Sequence, residues 1–222
     1  MSIWYLNNNQ LLQAMKYIII PLFITVILAG CGGAGSKKEA QSYLDKANAE
    51  FDKKDYQSAL KDYQTVVEID RKNGMAYNGI GVCKYRLSDS EGAMQNLSKA
   101  IDLMPDYGMA YYNRAICKFA VSDFKGALED YDKTIQLMPD FVLAYMNRGV
   151  CKYKLTDFQG AIQDYDQAIQ MDPKYGIVFF NRGMSRIATG NPVLKNSACD
   201  DFHKALELGY AQASESISKY CQ

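Results

Sequence analysis

Cys83, Cys117 and Cys151 stand 34 residues apart, and the residues around them move in the same register. Gly-Met-Ala-Tyr at 74–77 returns at 108–111, then as Val-Leu-Ala-Tyr at 142–145 and Gly-Ile-Val-Phe at 176–179. Leu-Met-Pro-Asp occupies 103–106 and again 137–140, and Met-Asp-Pro-Lys follows at 171–174. A period of this length is one helix–turn–helix, which cannot bury its apolar face alone and must stack on copies of itself. The chain is therefore expected to be all-α, a stack of such repeats. Stacks of this kind work as binding surfaces, so an enzyme is not expected.

Composition agrees with a binding module and narrows its partners. The 25 basic and 25 acidic residues cancel, and no basic stripe stands out, so nucleic acid is not an expected partner. No HExxH, CxxC, GxSxG or phosphate-cradling glycine loop occurs, so neither catalytic residues nor a metal or cofactor site is expected. His203, the one histidine, lies between Phe202 and Lys204 and reads as a surface residue. Three of the five prolines (Pro105, Pro139, Pro173) recur at one place in the period, where they end one helix pair before the next begins.

The N-terminus is a different object. Met15-Lys16-Tyr17 leads into an apolar run from Ile18 to Ile27, and then Leu28-Ala29-Gly30-Cys31. The run is short for a membrane span, which needs about 20 apolar residues. A basic start, a short apolar stretch and small residues have the layout of a secretory signal. Leu-Ala-Gly-Cys placed directly after such a run resembles the lipobox of bacterial lipoproteins. That resemblance implies a diacylglyceryl group on Cys31 and removal of 1–30, with Met15 the better start codon. Residues 31–39 then read as the lipidated cysteine and a flexible tether, with Lys37-Lys38-Glu39 opening the first helix.

Within the period, one position after another is constant in character. An aromatic stands at the fourth position (Tyr43, Tyr77, Tyr111, Tyr145, Phe179), and a small residue at the eighth (Ala47, Gly81, Ala115, Gly149, Gly183). Alanine stands at the twentieth (Ala59, Ala93, Ala127, Ala161, and Ala198 after an insertion). A large apolar side chain stands at the twenty-fourth (Tyr63, Leu97, Tyr131, Tyr165, Phe202). This pattern resembles the tetratricopeptide repeat. The resemblance implies a right-handed α-solenoid with repeats at 40–73, 74–107, 108–141, 142–175 and 176–210. About three extra residues near Asn191-Pro192 fall in the last inter-helix turn, and 211–222 forms a capping helix. The stretch Ala205–Ala213 also resembles a Sel1-type repeat.

Departures from the family pattern carry information. Position 7 is Arg114, Arg148 and Arg182, position 11 is Lys84, Lys118, Lys152 and Arg186, and position 23 is Asp62, Asp130, Asp164 and Asp201. Recurrence in every repeat favours a structural ion-pair ladder over a ligand track. As exposed pairs these would contribute about 0–1 kcal/mol each. The cysteines at position 10 share a face with Ala76, Ala110 and Ala144 and read as small buried hydrophobes. Cys199 and Cys221 lie symmetrically about Tyr210, beside the helix stop Leu208-Gly209. In an antiparallel hairpin they would come level, so a disulfide is an open alternative there.

The family lines a concave groove with the first helix of each repeat. Carried over, the groove residues are Asn78, Tyr85, Tyr112, Asn113, Phe119, Met146, Asn147, Tyr153, Phe180 and Asn181. Amides that donate and accept at once suit a peptide backbone, and apolar anchors suit an amphipathic helix or extended segment. The clamp that grips chaperone carboxylates is missing: position 5 reads Leu44, Asn78, Tyr112, Met146 and Phe180 where the clamp has lysine. Two functions follow: a membrane-tethered adaptor for protein partners in the cell envelope, or a module that associates with copies of itself.

Overall fold

The computed structural model describes residues 34–221, all of whose regular structure is helical. The helices are α1 (Ala34–Asp52), α2 (Tyr56–Ile69), α3 (Gly74–Arg86), α4 (Ser90–Leu103), α5 (Gly108–Ala120) and α6 (Phe124–Leu137). After them come α7 (Val142–Lys154), α8 (Phe158–Met171), α9 (Gly176–Ala188), α10 (Val193–Glu207) and α11 (Ala213–Tyr220). Helices α3, α5, α7 and α9 each begin on the first residue of a repeat as the period divides the chain. Cys31 and the apolar run before it lie outside the described residues. Among the described residues no helix is long and apolar enough to cross a membrane.

One short device joins the two helices of a repeat. Ser88 takes a left-handed conformation (φ 68°), its amide donates to the Tyr85 carbonyl, and the Asp89 amide reaches back to Lys84. These are the two closing bonds of a helix C-terminus. Asp89 is also the N-cap of α4, its carboxylate accepting from the Gly92 amide. Thr156 and Asp157 repeat the arrangement between α7 and α8. Asp55 caps α2 and Asp123 caps α6 in the same way. These caps recur every 34 residues (55, 89, 123, 157), a signal legible in the sequence.

The chain divides into two compact units, one closing at Ser122 and the other opening at Asp123. In the first, Ala47, Ala59, Tyr63, Val66, Ala76, Ile80 and Cys83 form a buried cluster between α1, α2 and α3. In the second, Phe180, Phe202, Ala205 and Ala213 do the same between α9, α10 and α11. Small residues at position 8 set the helix approach. A Cβ added at Gly149 would stand 2.7 Å from Tyr165 Cε1, closer than carbon atoms pack.

Two boundaries differ from the sequence expectation. Helix α1 starts at Ala34, inside the segment read as tether, because one glycine in a first helical turn costs too little to stop a helix. The insertion in the fifth repeat is not confined to the turn. The turn before α10 spans 189–192 against three residues elsewhere, and α10 itself is a residue longer than α8. Pro192 suits the start of a helix, so the extra residues extend its N-terminus, leaving Val193 79% exposed. Gly209 ends α10 as expected, at φ 86°, with the Gly209 and Tyr210 amides closing on Leu206 and Ala205.

Candidate functional site

The candidate groove residues all lie on the first helices of their repeats: Asn78 and Tyr85 on α3, Tyr112, Asn113 and Phe119 on α5, Met146, Asn147 and Tyr153 on α7, and Phe180 and Asn181 on α9. In the first unit, Asn113 Nδ2 donates to Asn78 Oδ1 at 2.9 Å, and both amides are buried. Successive repeats therefore present their amides at one level, and these two bond to each other. Tyr112 beside them is buried and Phe119 is half-buried. Tyr85 lies elsewhere: it packs on Ala93, Leu97 and Cys117, inside the scaffold.

In the second unit Met146 is buried, Asn147 is half-buried, and Asn181 is 1% exposed. Asn181 Oδ1 accepts no hydrogen bond. Tyr153 turns its ring onto Phe158, with centroids 5.2 Å apart, as Phe51 does onto Tyr56 in the first repeat. The position-12 aromatic thus closes the inter-helix turn. The five-residue spacing of two aromatics across that turn was the available signal. Phe180 packs against Phe202 (5.8 Å) and Tyr210 (4.9 Å), within the apolar cluster under the last helix. Of the ten groove residues, Tyr85, Tyr153 and Phe180 pack into the scaffold, Asn78, Tyr112, Asn113, Met146 and Asn181 are buried, and Phe119 and Asn147 are half-buried.

The recurring charges are spent on one another. Arg148 donates to both oxygens of Asp164 (2.9 and 2.6 Å) and, through Nη1, to Asp132 of the preceding repeat (2.8 Å). Lys152 adds a second cation to Asp164 at 2.9 Å. Arg182 repeats this with Asp201 and Asp166 (both 2.6 Å), and Arg186 joins Asp201 at 2.7 Å. In the first unit Lys46 meets Asp62 at 2.7 Å, and Arg114 reaches Ser98 at 3.0 Å. Burial works against the Arg148 charge, but the hydrogen bonds and charges of Asp164 and Asp132 outweigh it and hold its pKa above the ordinary value. Asp164 and Asp201 are buried rather than exposed, which corrects the small energy expected for these pairs. A buried carboxylate that loses its partner is left uncompensated, at about 3–5 kcal/mol.

The position-10 cysteines are free and buried, and burial pushes each thiol up to about 12. Such thiols pack and do not react at neutral pH. Cys199 and Cys221 are joined, their Cα atoms 5.6 Å apart. His203 is exposed, with Nδ1 at 2.8 Å from the Cys199 carbonyl. Among the described residues no group of three or more His, Cys, Asp or Glu side chains could hold a metal ion. Ser216 is buried against α9, its hydroxyl 3.9 Å from Met184 Sδ. Helix α11 turns Ala213, Ser216, Ile217 and Tyr220 inward at the i, i+3, i+4, i+7 spacing of an apolar stripe.

Family models for the tetratricopeptide repeat match residues 44–108 and 142–175. Solved structures share the fold. The MamA protein superposes at a TM-score of 0.68 with 22% identity, covering 83% of this chain and 96% of its own. YrrB, described as a TPR protein with an unusual peptide-binding site, superposes at 0.70 with 18% identity, covering 84% of this chain and all of its own. The first TPR of Spaghetti (RPAP3), bound to an HSP90 peptide, covers 54% of this chain and 94% of its own, at 0.53 and 23% identity. No curated protein matches the sequence. The 34-residue period, the paired helices, the family matches and these structures agree: the chain is a member of the tetratricopeptide-repeat family, an all-α solenoid of the kind that serves as a protein-interaction scaffold.

Proposed function

We propose that this protein is a lipid-anchored adaptor of the bacterial cell envelope. Cys31 tethers it, at an outer membrane and facing the periplasm, and the inner faces of its repeats bind segments of partner proteins. The observation that carries the binding half is the asparagine row. In the first unit Asn78 and Asn113 pair across successive repeats, and in the second Asn181 Oδ1 is buried with no hydrogen-bond partner among the described residues. A buried acceptor of that kind costs about 1–3 kcal/mol unless a ligand's N–H meets it. YrrB, with its peptide-binding site, and the first TPR of Spaghetti, with its bound peptide, make a peptide segment the natural class of ligand. The chaperone carboxylate clamp is not part of the proposal. Asn48, the one asparagine at its position 9, accepts from Tyr63 Oη at 2.6 Å.

The anchor rests on Leu28-Ala29-Gly30-Cys31 behind a short apolar run. The multiple acyl chains of a lipoprotein hold a protein on a membrane where one chain does not. Feeding cells an alkyne fatty acid tests it. The wild-type protein should take up label and the Cys31→Ser variant none; absence of label from the wild type would end the lipoprotein reading. Association with a second copy is the competing function, and photo-cross-linking from Asn147 separates the two by the identity of the adduct.

A further inference from the structure

Helix α11 stands where a sixth repeat would begin. Ala213 follows Gly176 by one period plus the three inserted residues, and Ala213 is the first residue of α11 as Gly176 is of α9. The helix is short, with 8 residues against 13 in α9. Its eighth residue is Tyr220 where complete repeats carry glycine or alanine. Among the described residues no second helix packs there, and the ring lies against Phe202, 6.2 Å between centroids. Two turns of helix with support on one side only do not persist in water by themselves. What they cover is apolar: Phe180, Phe202 and Met184 lie beneath Ile217, Tyr220 and Tyr210. The one covalent restraint is at the far end, where Cys221, just past the last helical residue, is bonded to Cys199 on α10.

We propose that the Cys199–Cys221 bond is a redox latch: closed, it holds α11 as the lid of the second unit, and opened, it releases α11 and uncovers the apolar end of α9 and α10. A dithiol opens it. Two electrons from the dithiol break the S–S bond, each cysteine sulfur takes a proton, and the dithiol closes to its own disulfide. Both cysteines are half-buried rather than enclosed, which leaves the bond open to attack. Closing a loop of this length restrains the released state by a factor on the order of a hundred, so opening of α11 should become about a hundredfold more frequent on reduction.

Amide hydrogen exchange on the full chain, before and after dithiothreitol, tests this. Intact mass first establishes the bond, and air-oxidised protein with two free thiols at these positions overturns the proposal. On reduction, amides of 213–221 should exchange about a hundredfold faster while those of α9 and α10 keep their rates. Protection of α11 unchanged within about twofold shows that packing alone holds the lid and overturns the latch. Loss of protection across α9 and α10 as well makes the bond a staple of the whole unit and overturns it equally. The Cys199→Ser, Cys221→Ser variant should reproduce the reduced pattern. If that variant does not fold, reduction and reoxidation of the wild type decide the matter on one sample.

Discussion

Two tyrosines at the same position of different repeats show how closely single residues are matched to their surroundings. Tyr63 donates to Asn48, fifteen residues before it, whereas the Tyr165 hydroxyl is buried without a partner because Val150 stands where Asn48 does. Removing one hydroxyl breaks a bond, and removing the other relieves an unsatisfied group. Urea denaturation should therefore show Tyr63→Phe losing about 1 kcal/mol and Tyr165→Phe gaining about as much; equal losses from both would contradict the assignment. Arg148 tests the buried pairs in the same way. Arg148→Ala leaves Asp164 buried beside Lys152 alone, and should cost about 3 kcal/mol or more. A second change, Asp164→Asn, should return part of that loss. The residue types of this ladder were legible from their spacing, but their burial was not. An arginine at position 7 looks the same in sequence whether its partner faces water or lies beneath a helix of the next repeat.

At the scale of helices and turns, the acid caps and the close helix contacts carry separate predictions. The Gly92 amide, then the Lys84 ammonium, holds the Asp89 carboxyl below its usual pKa, and bonds from Ser58 do the same for Asp55. A carboxyl depressed by folding adds stability that is complete above its unfolded value, near 3.8, and is lost as pH falls through the lower folded value. Asp89→Asn keeps the capping acceptor and removes the charge. Acid titration of stability should thus be shallower below about pH 4 in that variant, and an unchanged slope would remove Asp89 from the account. For the helix contacts, Gly149→Leu drives a side chain into the Tyr165 ring, and should cost about 1–3 kcal/mol with a lower melting temperature and no loss of helical type. Helix starts at Gly74, Gly108, Val142 and Gly176 could be read directly from the period. Tyr85 and Tyr153 could not be placed, because a position between the first helix and the inter-helix turn is settled by which neighbouring side chains it packs against. The start of α1 escaped for another reason: a first turn tolerates glycine, so composition there does not mark the boundary.

For the molecule as a whole, stacked repeats contact only their neighbours, so stability accumulates repeat by repeat while binding depends on what their inner faces share. What recurs here is an asparagine on the first helix of four repeats: Asn78, Asn113, Asn147 and Asn181. Function was legible only as far as the class, because the repeats fix a scaffold and leave the client to side chains that differ from one family member to another. The most direct measurement is photo-cross-linking from a benzoylphenylalanine placed at Asn147, half-buried on the first helix of its repeat, compared with one at Gln163, exposed on the second helix of the same repeat. The protein should form one discrete adduct with a different protein from position 147 and none from position 163. Adducts with this chain alone, the same products from both positions, or no product from position 147 would contradict it.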